Sequence, residues 1–98
     1  MVAAQQPQGR SVEPRPPRAL SAVQERAIRA AMYTFVEDDL AFGSARGTRR
    51  WCRRCRAQRP APGFVAYDEG SLCNPCATAY ELARARDEVR TPAEFLGR

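Results

Sequence analysis

Two cysteine pairs constrain this chain more than any other feature. Cys52-x2-Cys55 and Cys73-x2-Cys76 are separated by 17 residues, and they are the only cysteines present. A two-residue spacer lets one tight turn aim two thiolates at a single ion, with Zn–S distances near 2.3 Å in a tetrahedron. Two such knuckles joined by 17 residues fall within the usual four-cysteine zinc spacing. Histidine is absent, so any zinc site must be built from cysteine or carboxylate. Disulfides and an iron centre are the alternatives for the same sulfurs. The expectation is one structural Zn²⁺ per chain held by Cys52, Cys55, Cys73 and Cys76, with no open position for substrate or water.

Length gives such a staple a role. A chain of 98 residues buries a modest fraction of its surface, and small domains often need a metal or disulfides to hold one conformation. Structural zinc in finger peptides contributes about 10–16 kcal/mol apparent at neutral pH, so metal binding and folding are expected to be coupled. No apolar run approaches the roughly 18–20 residues that span a bilayer, and residues 1–18 lack the apolar centre of a secretory signal. The sequence therefore reads as intracellular, nuclear if the source is eukaryotic and cytoplasmic if bacterial, with no membrane partner.

The formal charge of +5 is uneven. All 16 basic residues are arginine, and Arg46, Arg49, Arg50, Arg53, Arg54, Arg56 and Arg59 fall between positions 46 and 59 with no acid among them. Such a run is the electrostatic footprint of a phosphate-binding surface, and arginine's planar fork suits phosphates and guanine edges. A solvated basic face, an import signal or an arm for an acidic protein would look the same. The seven arginines are the candidate nucleic-acid contacts.

Five segments follow from the pattern. Residues 1–18, rich in proline and arginine, read as a disordered tail. Residues 19–42 read as an amphipathic helix with an acidic end. Ser21-Ala22-Val23-Gln24 supplies a capping box, and Val23, Ala27, Ile28, Ala31, Met32, Phe35 and Val36 recur at helical spacing. The acids Glu37, Asp38 and Asp39 stand at the unfavourable end of the dipole, so the helix is expected to end or fray there. Residues 43–50 read as a basic linker, flexible between Gly43 and Gly47.

Residues 51–90 form the four-cysteine module, with short strands around Phe64–Tyr67 and a helix from Pro75 to about Arg90. Its expected apolar partners are Trp51, Phe64, Val65, Tyr67, Leu72 and Tyr80, the aromatics being more useful to a small core than to base stacking. Residues 91–98 carry a short terminal helix, with Thr91 as N-cap and Pro92 in its first turn.

The spacing, with Leu72-Cys73-Asn74-Pro75-Cys76 leading into a helix that carries Tyr80, resembles a GATA-type zinc finger over about residues 51–84. That resemblance implies a treble-clef arrangement: a knuckle, short hairpins, then a helix whose first turn supplies the last two ligands. The fold class expected is thus a small zinc-stabilised α+β domain, a four-cysteine finger with flanking helices. The ligands carry over to the four cysteines. The DNA-reading residues do not: Pro62-Gly63-Phe64-Val65-Ala66 occupies the hairpin between the pairs, and residues 81–98 have no net charge.

Two functions fit. One is a nucleic-acid-binding zinc finger, DNA ahead of RNA, acting as a transcriptional regulator. The other is a non-enzymatic adaptor or small subunit of a protein or ribonucleoprotein assembly, engaging a partner through helix 21–36 or the tail. An enzyme is not expected, because no histidine exists for acid–base work and the cysteines are committed to metal.

Overall fold

The computed structural model describes residues 18–43 and 46–98. The predicted tail lies outside the described residues apart from Arg18, as do positions 44 and 45 of the predicted linker. Three helices surround two small antiparallel sheets: α1 (Ala22–Phe42), β1 (Arg49–Cys52), β2 (Ala57–Pro60), β3 (Val65–Tyr67), β4 (Gly70–Leu72), α2 (Asn74–Ala85) and α3 (Pro92–Leu96). No helix among the described residues is long and apolar enough to cross a membrane.

α1 begins as its capping box dictates. The Gln24 amide donates to Ser21 Oγ at 3.0 Å, and the Ser21 amide donates to Gln24 Oε1 at 2.9 Å. It does not end at the acids. The helix runs six residues past Val36 to Phe42, where Gly43 closes it in the left-handed conformation at φ 74°. The Asp39 carboxylate accepts the Gly63 amide at 2.7 Å, which offsets the helix-dipole penalty. The Arg46 guanidinium covers the end by donating to the Leu40 carbonyl at 3.1 Å.

Each sheet is a single hairpin. β1 and β2 pair Arg49 with Pro60, Arg50 with Arg59, Trp51 with Gln58 and Cys52 with Ala57. β1 therefore starts inside the stretch read as a linker. β3 and β4 pair Val65 with Leu72 and Tyr67 with Gly70, turning at Asp68-Glu69. The Arg53 amide donates to the Ser71 carbonyl at 3.0 Å and joins the hairpins. α2 stops at Ala85, short of Arg90, because the chain reverses through Asp87 at φ 61° and turns Val89 inward.

The core lies between α2 and its neighbours. Leu72 and Cys52 are fully buried, with Phe64, Ala77, Tyr80, Ala83, Val89 and Phe95 around them. Tyr80 stands edge-on between Tyr67 and Phe95, with ring centroids 5.2 and 5.5 Å away. Val65 and Tyr67 pack at the margin. Trp51 does not join this core: it is 55% exposed. Side chains alternate across a strand, and the inward position at the end of β1 belongs to Cys52, so its neighbour faces solvent.

α1 packs on the cysteine module through Ile28, Met32 and Val36, which follow one another at four-residue spacing on one face. Two polar ties fix it there. Asn74 Nδ2 donates to the Met32 carbonyl at 2.9 Å and to the Gly63 carbonyl at 3.1 Å. Asp39 holds Gly63 from the other side. Gly63 has φ 85°, and an added Cβ would run into Val36 and Asn74. Glycine is required there both for the turn and for the close approach of α1.

Candidate metal centre

The first pair of cysteines is shaped by the β1–β2 turn. Cys52 closes β1, and the turn through Arg53 and Arg54 brings Cys55 back, with the Arg56 amide on the Cys52 carbonyl at 2.8 Å. Arg56 completes the reversal at φ 56°, a left-handed position that glycine fills more easily. The second pair comes from the start of α2. Cys73 is its N-cap and Cys76 lies in its first turn, with Pro75 between them where a missing N–H leaves no bond unmade.

These elements bring all four sulfurs within 4.8 Å of one another. Cys55 Sγ lies 3.8 Å from Cys73 Sγ and 3.5 Å from Cys76 Sγ. A tetrahedron of sulfurs about 2.3 Å from its centre has edges of about 3.8 Å, so the cage fits one zinc-sized ion. Four thiolate donors in that shape suit zinc or iron among the first-row metals. The four cysteines can hold a single metal ion, and the donor set is that of a zinc-finger-like site.

The surroundings prepare these groups for a cation. Burial opposes ionisation of Cys52, but the Cys73 amide at 3.3 Å and the Cys55 amide at 3.4 Å donate to its sulfur and bring the thiol down to about 7. Burial pushes the Cys73 and Cys76 thiols up. Four sulfurs this close cannot all ionise unless a positive charge sits among them. Two arginines add positive charge from outside. Arg54 Nη1 lies 4.0 Å from Cys76 Sγ. Arg59 lines the same cleft as Cys55, Cys73 and Cys76 and adds positive charge beside them.

The seven arginines of the basic run are thus divided among different tasks. Arg54 faces sulfur and also lies over the Phe95 ring at 4.4 Å, and Arg59 lines the cleft beside Cys55. Arg46 caps α1. Arg49 donates to the Gln58 carbonyl at 3.0 Å, and Arg50 lies over the Phe64 ring at 5.1 Å. Arg53 and Arg56 are exposed, the Arg53 stem lying over Gly70, and their side chains have no hydrogen-bond or ion-pair partner among the described residues. With Trp51, Arg54 and Leu96 they line an open groove of about 460 Å³ that contains no acidic residue.

Some residues of this region escape sequence reasoning. Asn74 was legible as part of the second knuckle, but nothing in the pattern says that it reaches α1. Asp39 read as a misplaced helix acid, and its partner is a loop amide 24 residues away. Phe95 lies in the terminal helix as read, but nothing in the pattern says that its ring is buried with the knuckle's Arg54 over it. No family model, no curated protein and no solved structure matches this chain.

Proposed function

We propose that this chain is a zinc-stabilised nucleic-acid-binding module of the treble-clef kind, and that its zinc ion is structural. The order of knuckle, second hairpin and ligand-bearing helix supports the treble-clef reading. The observation that carries the binding function is the groove on the knuckle. Arg53 and Arg56 stand there without partners, Arg54 adjoins them, and no acid neutralises them. Unpaired arginines held on a rigid turn suit backbone phosphates, and neutralising phosphates releases counterions, so affinity falls steeply with salt. Where the ligand is DNA, control of transcription is the natural role.

The test is a salt titration of the zinc-loaded chain against generic nucleic-acid probes. Binding whose logarithm falls linearly with log salt, and weakens in Arg53→Ala and Arg56→Ala, supports the proposal. Absence of binding at low salt overturns it. One observation favours an adaptor instead: Phe35 and Phe42 remain 46% and 84% exposed on α1. Salt-insensitive capture of a protein partner through that helix would favour this second reading.

A further inference from the structure

We infer that the groove beside the first knuckle takes a single-stranded nucleic acid, with one unpaired base stacked on Trp51 and flanking phosphates on Arg53 and Arg56. This rests on the nucleic-acid reading above and adds the class of ligand. Trp51 is the only tryptophan, it is 55% exposed, and it shares the groove with three arginines. An aromatic face beside a row of positive charges is the arrangement that binds single strands. Successive bases stack on rings while the backbone tracks the charge, and no base edge need be read.

The rest of the fold does not present a duplex reader. A recognition helix must lay an open face in a major groove. Six of the twelve α2 residues are buried, with α1 packed against it and Phe95 of α3 against Tyr80. α1 exposes Glu37 and Asp38 near its end, and α3 has five residues. On the β1–β2 ribbon, Arg50 lies over the Phe64 ring and Arg59 lines a separate cleft beside Cys55. Its outward face offers Trp51 with Gln58 opposite, and the guanidinium of Arg49 on that face is turned onto the Gln58 carbonyl at 3.0 Å. Stacking on an exposed ring needs a base that has left its helix, and single strands supply one without unpairing.

The experiment uses the full zinc-loaded chain with short oligo-dT, oligo-rU and a mixed-sequence duplex at low salt. Trp51 fluorescence reports the wild type directly, and anisotropy of labelled probes reports the variants. Single strands of either sugar should quench Trp51, and the two probes distinguish DNA from RNA as the source of the strand. Trp51→Ala should weaken single-strand binding by about 5- to 150-fold, the range that one stacked base provides, while Trp51→Phe keeps most of it. Zinc stoichiometry and circular dichroism should match wild type in both variants, since the ring lies outside the core. Unchanged single-strand affinity in Trp51→Ala, or tighter binding of the duplex than of either single strand, overturns this inference and leaves the general one standing. Failure of all probes to bind overturns both.

Discussion

Asn74→Ala tests whether α1 belongs to the cysteine module. The side chain supplies two hydrogen bonds, to the Met32 carbonyl at 2.9 Å and to the Gly63 carbonyl at 3.1 Å. Met32 also accepts the amide four residues on in its own helix, so losing Asn74 there costs about 0.5 kcal/mol, the low end for a net hydrogen bond. Gly63 has no second donor on its carbonyl among the described residues. Leaving that group unpaired beneath α1 costs about 1–3 kcal/mol. Alanine at the first position of α2 adds no helix penalty. The sum is about 1.5–3.5 kcal/mol, a fall of about 1.5–3.5 M in the urea midpoint if the slope is near 1 kcal/mol/M. Asn74→Asp should cost more, because a carboxylate would face both carbonyls. Urea melts followed by circular dichroism in the zinc-loaded protein measure this. A loss below about 0.5 kcal/mol in Asn74→Ala would show that apolar contacts alone hold α1 and would refute the reasoning.

Four further outcomes are expected. Gly63→Ala should cost about 2–5 kcal/mol, combining a left-handed backbone with overpacking against Val36; wild-type thermal stability would contradict the close approach. Arg54→Ala should lose about 1–2 kcal/mol with its ring contact on Phe95, whereas Arg56→Ala leaves stability unchanged and lowers the salt slope for single strands by about 0.7. Equal melting temperatures for the two variants would erase that distinction. Chelation should remove the metal and unfold both hairpins, and cobalt substitution should give the visible bands of a tetrahedral thiolate site; a fold that survives chelation intact would show the metal to be dispensable. Metal uptake should strengthen as pH rises through neutrality. The Cys73 and Cys76 thiols, pushed up by burial, must lose protons to bind, and acid restores them. A competition assay with a chromophoric chelator at several pH values measures this, and a flat profile would contradict it.

The ligand cage was legible because its chemistry is local: two short spacers and the lack of histidine define four donors without reference to the fold. The caps of α1 and α3 were legible for the same reason, since Ser21, Gln24, Thr91 and Pro92 act within one helical turn. What stayed hidden depends on contacts distant in sequence. Continuation of α1 past Glu37-Asp38-Asp39 depends on the Gly63 amide, and the early end of α2 on a reversal at Asp87. The arginine run read as one patch because a sequence records charge but not direction. In three dimensions it divides into charges beside the sulfurs, ring covers, a helix cap, a tie across the first hairpin and two side chains without a polar partner among the described residues. Trp51 was assigned to the core on size and hydrophobicity, but strand parity placed it outside.

That parity has a consequence for how the chain can change. Trp51 and Cys52 are neighbours on a four-residue strand, and a slip of one register step would exchange their faces. The ring would then enter the space meant for a ligand, and the sulfur would turn to solvent. Inserting or deleting one residue between Arg49 and Cys52 should therefore abolish both properties at once, whatever residue is used. Variation in this strand is restricted to substitution, and a homologue of different strand length would have to move its exposed aromatic elsewhere.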